Sequence, residues 1–198
     1  MKKLITEPQV FIIESLNPDD EGNGRFEGGV ISHILKLHGK LPEYRYVRTK
    51  KEFEEAVVQF GASKYRYLHI STHADSKGMC TTNQNEINFD KLASILRPHL
   101  KGRRLFFSAC SMVNEELAEK IIPTSGCRSI AGPAKDISFT DAAILWPSFY
   151  HLMFTDDSDV MKVVKLKKHL KNTSKMFGVS INFFSKLKDK KEFKQWKF

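Results

Sequence analysis

The sequence predicts an α/β fold, a three-layer sandwich with a mostly parallel central sheet and helices on both of its faces. Short runs of β-branched and aromatic residues alternate with amphipathic segments of about 10 to 15 residues, which is typical of βαβ units. The chain has 198 residues, which is long enough for one well-buried core and short for two. No apolar run reaches the roughly 18 to 20 residues of a membrane-spanning helix.

The first part of the chain alternates twice between strand and helix. β-branched and aromatic residues predict strands at 9–15 and 43–49. The helix predicted at 26–39 ends at a glycine, and the helix at 50–61 has apolar residues at i, i+3, i+4 and i+7. The polar, glycine-containing stretch 17–25 is expected to be a loop.

The second part carries three more strands and three more helices. A proline ends the first of these helices, an asparagine can cap the second, and a Ser…Asp capping pattern opens the third. A short hairpin is expected within this part. The strands are predicted at 65–75, 103–112 and 127–134, the helices at 89–98, 114–122 and 138–154, and the hairpin at 78–89.

The positive charge is concentrated at the C-terminal end. The whole chain has a formal net charge of +9, and residues 161–198 contain twelve lysines, no arginine, and only Asp189 and Glu192 as acidic residues. That segment carries +10, so the first 160 residues sum to about −1. This shift in composition predicts a domain at 1–157 and a lysine-rich helical C-terminal tail at 158–198.

The predicted tail has two possible roles. Lysines interleaved with apolar residues suit an amphipathic helix that binds nucleic acid, an anionic surface or an acidic partner. The alternative, which we favour, is a helix that packs its apolar side on the body. A tail without arginine also argues against bidentate reading of bases. The apolar side would comprise Val164, Leu166, Leu170, Phe177, Ile181, Phe184 and Leu187.

Cysteine usage and the N-terminus indicate a cytoplasmic protein. Cys80, Cys110 and Cys127 are few, odd in number and without metal-ligand spacing, which favours free thiols in a reducing compartment. The N-terminal residues lack the apolar core and cleavage site of a secretory signal. Neither a zinc-ligand set nor a Gly-Lys-Ser/Thr phosphate loop is found, so no metal or cofactor is expected.

Two predicted strands each end at a reactive side chain. YRYLHISTHAD carries His73 at its end, and RRLFFSACSM carries Cys110. Ligands bind at the carboxyl ends of strands in open α/β sheets, and one crossover separates these two strands. Cysteine is also a common core residue, so either side chain alone is ambiguous. Their joint placement favours a cysteine nucleophile with a histidine partner.

The chemistry that this pair suits is acyl transfer, such as peptide-bond hydrolysis. A nearby imidazole or a helix N-terminus favours the thiolate form of a cysteine. Cys110 would have both, the ring of His73 and the helix that begins near Asn114. Backbone amides at the Cys110 turn and at Ala74, directly after the histidine, are candidates for an oxyanion hole.

These motifs resemble the caspase-like (clan CD) cysteine peptidases, and most of all the CHAT-type domains. Thr72-His73 matches the Thr-His pair of that family, and Ser108-Ala109-Cys110 matches its Ser-Ala-Cys, 37 residues after the histidine. The segment from residue 129 to 154, with Phe149-Tyr150, resembles the family's later strand and helix. The resemblance spans roughly residues 9–155.

The resemblance implies a caspase-like fold and a cysteine endopeptidase that cleaves protein or peptide substrates. It implies Cys110 as nucleophile, His73 as general base and acid, and a role in bacterial defence or regulated proteolysis, with a possible regulatory protein partner. The chain departs from the family at Ala74, where the family usually has glycine. Alanine keeps the backbone amide but restricts positive φ.

Substrate specificity leaves two alternatives open. Caspase-like pockets recognise the residue before the scissile bond through an opposite charge. Arg25 in the first loop would select an acidic residue, whereas Asp75, Asp136 or Asp141 would select a basic one. Each of these is otherwise a solvated loop charge.

Three hypotheses follow from the sequence. The favoured one is a caspase-like thiol protease with a Cys110–His73 dyad. The second is a catalytically inactive caspase-like interaction module, which the alanine at position 74 motivates. The third is a nucleic-acid or anionic-surface binder that acts through residues 161–198.

Overall fold

The computed structural model describes residues 6–187 and 192–198. In this part of the chain, nine strands and seven α-helices alternate largely as the sequence predicts. The strands are β1 Glu7–Ser15, β2 Glu43–Tyr46, β3 Tyr65–Ala74, β4 Gly78–Cys80, β5 Glu86–Asn88, β6 Arg104–Ser108, β7 Ser129–Pro133, β8 Ile181–Lys186 and β9 Phe193–Lys197. The helices are α1 Pro18–Gly22, α2 Glu27–Leu37, α3 Lys50–Ala62, α4 Phe89–Leu96, α5 Glu115–Ser125, α6 Phe139–Asp156 and α7 Val163–Phe177.

The main sheet has the strand order β2-β1-β3-β6-β7-β8-β9. Its first five strands run parallel to one another, and β8 and β9 are antiparallel additions at one side. The short strands β4 and β5 form a hairpin that pairs with the last residues of β3. The parallel strands therefore end at one edge of the sheet, and the hairpin lies at that edge.

Alternating side chains of the strands fill two separate cores, one on each face of the sheet. On one face, β1 buries Phe11 and Ile13 together with apolar residues of α3, α4 and α5. On the other face, it buries Val10 and Ile12 with residues of α2, α6 and α7. The three-layer α/β fold with a mostly parallel sheet is therefore confirmed.

A short helix, α1, lies where the sequence suggested only a polar loop. The side chain of Asn17 accepts a hydrogen bond from the Asp20 amide at 2.7 Å and caps the helix, and Pro18 occupies its first turn. Five residues without an apolar face give no periodic signal, which is why the pattern did not predict a helix.

The expected helical tail is present as α7, but the chain departs from that expectation further on. Residues 181–186 form β8, which pairs with β7, and 193–197 form β9 at the edge of the sheet. Ile181, Phe183 and Phe184 are fully buried. Val164, expected on the packed side of α7, is 77% exposed. Residues 188–191 of the predicted tail, like 1–5 of the N-terminal segment, lie outside the described residues.

The prediction of a helix fails at residues 181–186 for a physical reason. Apolar residues at 181, 183 and 184 fit an extended strand as well as a helix. Pairing with β7 on one side and β9 on the other satisfies the backbone groups of β8, and Trp196 of β9 stacks on Phe183 at 5.4 Å between ring centroids. None of the helices described is both long and apolar enough to cross a membrane.

Candidate active site

The two reactive side chains lie at the carboxyl edge of neighbouring strands. β3 and β6 pair in parallel, and Ser71 lies opposite Ser108 at the last pair of that ladder. His73 follows two residues after Ser71, and Cys110 two residues after Ser108. His73 and Cys110 line the same narrow cavity of about 70 Å³. The structure thus brings together the two residues that the sequence singled out.

Cys110 is half-buried in the turn after β6. Its Sγ accepts a hydrogen bond from the Ile137 amide at 3.5 Å and donates one to the Ile137 carbonyl at 3.6 Å. The next residue, Ser111, has a φ of 52°, a left-handed conformation that is rare for a residue with a side chain. The chain therefore turns sharply at the position that presents the thiol.

The thiol contacts the residue that directly precedes the cap of α6, a helix that the sequence analysis did not connect with Cys110. Ile137 directly precedes Ser138, which caps α6 by accepting a hydrogen bond from the Asp141 amide at 3.0 Å. Phe139 in the first turn lines the cavity. The amide that donates to the sulfur therefore lies beside the start of an 18-residue helix.

The imidazole of His73 is held by a carboxylate that the sequence analysis missed. Its Nε2 lies 2.7 Å from Oδ2 of Asp20 in α1, and Asp20 also pairs with Arg25 at 2.7 Å. Burial raises the pKa of Asp20, but the hydrogen bonds and charges of Arg25 and His73 outweigh it, so the net pKa is lowered. An ionised carboxylate only accepts, so Nε2 donates, and in the neutral form of the imidazole the lone pair is on Nδ1.

Among the described residues, Sγ of Cys110 makes no hydrogen bond to His73. The ring and the thiol share a cavity, but each is held by other partners. Contacts of this kind are often loose until a substrate binds. A direct hydrogen bond between the two side chains would therefore require one of them to move within the cavity.

The other thiols lie in less favourable surroundings. Burial and Glu86 raise the pKa of Cys80, and burial raises the pKa of Cys127 to about 12. Both effects disfavour the thiolate, which is the reactive form of cysteine. Neither Cys80 nor Cys127 is therefore well placed to act as a nucleophile.

Ala74 continues β3 as an ordinary strand residue. It lies opposite Met79 of β4, and it is not among the described residues with positive φ. The Asp75 amide donates to the Gly78 carbonyl at 3.0 Å, so the alternation of an antiparallel ladder turns the Ala74 amide away from β4. Alanine therefore fits this backbone without strain.

A second cavity adjoins the first at His73. It has a volume of about 380 Å³ and lies between the end of β3 and the hairpin of β4 and β5. Met79 and Ile87 supply apolar lining, and Asp75, Lys77 and Glu86 supply charged groups. His73 thus stands between a narrow cavity that holds the thiol and a wider one beside the hairpin.

Each of the four candidate pocket charges has a nearby partner in the chain. Arg25 pairs with Asp20, and its side chain is 55% exposed. Asp75 lines the wider cavity, and its carboxylate accepts hydrogen bonds from the Lys77 and Gly78 amides at 2.7 and 3.0 Å.

The other two acidic candidates lie near the Cys110 turn. Asp136 accepts a hydrogen bond from Ser111 Oγ at 2.8 Å, and Asp141 accepts one from Ser138 Oγ at 2.6 Å. Neither lines the two cavities beside His73. These contacts assign both carboxylates to turn and cap geometry around the site.

Two asparagines connect the turn that carries Cys110 to neighbouring elements. The Asn114 side chain donates to the Ser76 carbonyl at 3.0 Å and so joins the loop after β6 to the turn after β3. The Asn182 side chain of β8 donates to the Val113 carbonyl at 2.7 Å. The C-terminal strands therefore support the loop that carries Cys110.

Comparison with solved structures shows that this fold is shared with a cysteine protease. A secreted C11 cysteine protease from Bacteroides thetaiotaomicron, solved with an irreversible peptide inhibitor, superimposes with a TM-score of 0.61 at 11% sequence identity. The match covers 90% of this chain and 66% of that one, so the chain spans just under two thirds of its length. No family model and no curated protein matches the sequence.

The caspase-like fold expected from the sequence motifs is therefore present. At 11% identity the likeness concerns the fold alone. Within the described residues, no group of three or more His, Cys, Asp or Glu side chains is arranged to hold a metal ion.

Proposed function

We propose that this protein is a cysteine endopeptidase of caspase-like type. The observation that carries the proposal is the shared cavity of Cys110 and His73, with the ring of His73 held by Asp20 at 2.7 Å. A thiol, a base and a group that orients the base are the parts that a cysteine nucleophile requires. The cysteine-protease fold supports the same reaction class.

The mechanism follows from the orientation of the ring. With Nε2 donating to Asp20, Nδ1 accepts the proton of the Cys110 thiol, and the thiolate attacks the carbonyl carbon of a peptide bond. The imidazolium then protonates the leaving amine, which departs as the acyl-enzyme forms. A water molecule, deprotonated by His73, attacks the thioester, and the acid product leaves with regeneration of the thiol.

The charge on the carbonyl oxygen needs backbone donors. The Ala74 amide, turned away from β4, and the amide of Cys110 are the candidates for this oxyanion hole. Both belong to residues that line the cavities beside the dyad. The substrate chain would pass along the wider cavity between β3 and the hairpin, with its scissile bond at the thiol.

An electrophilic peptide probe tests the proposal directly. A peptidyl acyloxymethyl ketone should label the wild-type protein at Cys110, and labelling should be lost in Cys110→Ala and reduced strongly in His73→Ala. Cys80→Ser is the matched control, because Cys80 is half-buried and lies opposite His73 in the ladder. Labelling that persists in Cys110→Ala, or that moves with Cys80, would contradict the dyad.

The alternative is a caspase-like module without activity. The narrowness of the cavity around the thiol favours it, since a substrate must widen that cavity to reach Sγ. In that case peptide probes should fail to label the protein, while a small reagent such as iodoacetamide still alkylates Cys110. The two labelling experiments together separate the alternatives.

A further inference from the structure

A row of buried polar residues lies directly beneath the proposed dyad. Glu14 of β1 is opposite Ser71 of β3, which in turn is opposite Ser108 of β6. These three residues, and Glu27 at the start of α2, are all at most 5% exposed. Charged residues are rarely buried to this degree without a specific role.

Glu27 joins the two strands that carry the reactive side chains. Its Oε2 accepts a hydrogen bond from Ser71 Oγ at 3.0 Å and another from Ser108 Oγ at 2.8 Å. Ser71 lies two residues before His73, and Ser108 lies two residues before Cys110. One carboxyl oxygen of Glu27 therefore links β3 to β6, at positions two residues before each of the two reactive side chains.

The location of this link is important because the backbone ladder stops there. The pair Ser71–Ser108 is the last between β3 and β6, and Cys110 lies beyond it in a turn. Past this point no backbone pairing between the two strands fixes the distance from the imidazole to the thiol. A side-chain bridge at the last pair is the nearest available constraint.

We infer that Glu27 is a positioning residue, whose carboxyl group bridges Ser71 and Ser108 and thereby sets the separation of the His73 imidazole and the Cys110 thiol. The inference rests on the proposed function, because it assigns the residue a role through that dyad. Glu27 itself also lines the narrow cavity, but its polar contacts are with the two serines.

The surroundings of Glu27 favour the neutral acid. Burial raises its pKa to about 8, an effect that the Ser108 and Ser71 bonds only partly offset and that the charge of Glu14 increases. Within residues 6–187 and 192–198, Oε1 of Glu27 has no hydrogen-bond partner, and neither has Nε2 of His69, which lies 3.9 Å from it. A neutral carboxyl keeps its oxygen as the acceptor for both serines without leaving an uncompensated charge in the core.

The titratable groups near Glu27 come from four other elements. Glu14 of β1 accepts a hydrogen bond from the Gly28 amide at 2.9 Å and one from Tyr44 of β2 at 2.6 Å. His69 of β3 is fully buried and bonds to Tyr150 of α6 at 3.0 Å. Burial lowers the pKa of His69 to about 3, so it is neutral at physiological pH.

The rate of Cys110 alkylation by iodoacetamide tests the bridge without a known substrate. The rate should be followed by peptide mass spectrometry from pH 5 to 9 in wild type, His73→Ala, Glu27→Ala and Glu27→Gln. The part of the rate that depends on His73 is the difference between the wild-type rate and the rate of His73→Ala. In Glu27→Ala this part should fall about tenfold at pH 7, which is the effect of losing one or two hydrogen bonds. Glu27→Gln should restore it to within about threefold, because the amide oxygen accepts from both serines.

Serine variants keep the inference testable if Glu27→Ala does not fold. Ser71→Ala and Ser108→Ala each cut the bridge at one end, so the double variant should be no slower than the more impaired single variant. Ser129→Ala is the matched control, since this serine of β7 is also buried but accepts its hydrogen bond from Arg104 at 2.8 Å. Its alkylation rate should equal that of the wild type.

The outcomes separate the inference from the proposed function. If His73→Ala leaves the alkylation rate unchanged, the dyad is wrong and the inference falls with it. If His73→Ala slows the reaction but a folded Glu27→Ala does not, the dyad stands and the positioning role is overturned. Additive effects of the two serine substitutions would overturn it as well, because a bridge broken at one end cannot be broken again.

Discussion

Nε2 of His73 lies 2.7 Å from Oδ2 of Asp20, a residue 53 positions earlier in the chain. The two elements that meet here are the carboxyl end of β3 and the short helix α1. Asp20 is 8% exposed at its side chain, and the imidazole is 45% exposed. One ring nitrogen is thus fixed by a buried carboxylate, while the ring remains accessible from the side of the cavities.

Replacement of Asp20 should impair the reaction of Cys110 through the tautomer of His73. In Asp20→Asn the side-chain amide can donate to Nε2, which then favours the proton on Nδ1, the nitrogen that must accept from the thiol. We expect the rate of labelling by a peptidyl acyloxymethyl ketone to fall by roughly 10- to 1000-fold. The measurement is the second-order labelling rate at pH 7.

Arg25→Ala is the matched control for this substitution. It removes the exposed partner of Asp20 and leaves the carboxylate bonded to His73. Because exposed ion pairs contribute about 0 to 1 kcal/mol, the rate should change by no more than about fivefold. An equal loss in both variants would mean that Asp20 acts through the loop and not through the imidazole.

Glycine at position 74 should not increase the rate at which a peptidyl probe labels Cys110. Ala74 has an ordinary strand conformation opposite Met79, so the backbone does not need the freedom of glycine there. Ala74→Gly should leave the probe-labelling rate within about twofold and lower the stability by roughly 0.5 to 1 kcal/mol, the usual cost of glycine in a strand. Labelling kinetics and thermal unfolding measure the two effects. A large gain in labelling would show that the alanine had been limiting.

The sequence was sufficient to predict which strand ends meet. Parallel neighbouring strands place their carboxyl ends at one edge, so a histidine and a cysteine at the ends of two such strands share a cavity once the crossover is recognised. The alternation of strands and helices was equally informative, because each face of the sheet buries a continuous core.

Long-range side-chain contacts were not predictable in the same way. Asp19, Asp20 and Glu21 are adjacent acidic residues, and only the orientation of α1 selects Asp20 as the partner of His73. Glu27 was not singled out because an acidic residue in the first turn of a helix normally faces solvent. Its burial depends on Ser71 and Ser108, which are distant in the sequence.

The stability of the fold should depend on pH through Glu27. Its pKa is raised from 4.5 to about 8 by burial, so the folded state holds the proton more tightly than the unfolded state. Such a group stabilises the fold fully below pH 4.5 and loses its contribution as the pH rises towards and through 8. The stability of Glu27→Gln relative to wild type should therefore increase between pH 5 and 8, by on the order of a few kcal/mol.

Urea unfolding at pH 5 and pH 8 measures this difference. Glu52→Gln is the control, because the pKa of Glu52 is shifted in the opposite direction. Backbone hydrogen bonds from Arg48 and Thr49 lower it. Its contribution is lost only as the pH falls below about 4.5, so the effect of that substitution should be the same at pH 5 and 8. If the effect of Glu27→Gln were equally constant, the buried carboxyl would not be protonated in the folded state.

Removal of residues 178–198 should unfold the protein rather than release a separable tail. The deletion strips β8 and β9 from the sheet and removes the fully buried side chains of Ile181, Phe183 and Phe184. At about 1.5 to 3 kcal/mol for each, this loss is comparable with the roughly 5 to 15 kcal/mol that stabilises a typical domain. Circular dichroism during thermal unfolding should show no cooperative transition.

Lys171→Gln and Lys175→Gln are the control variants, because they change only exposed charges of α7, and each should unfold at the same temperature as the wild type. A cooperative transition in the truncated chain would instead show that residues 178–198 are dispensable for the fold, and binding to anionic vesicles could then be compared between two folded proteins.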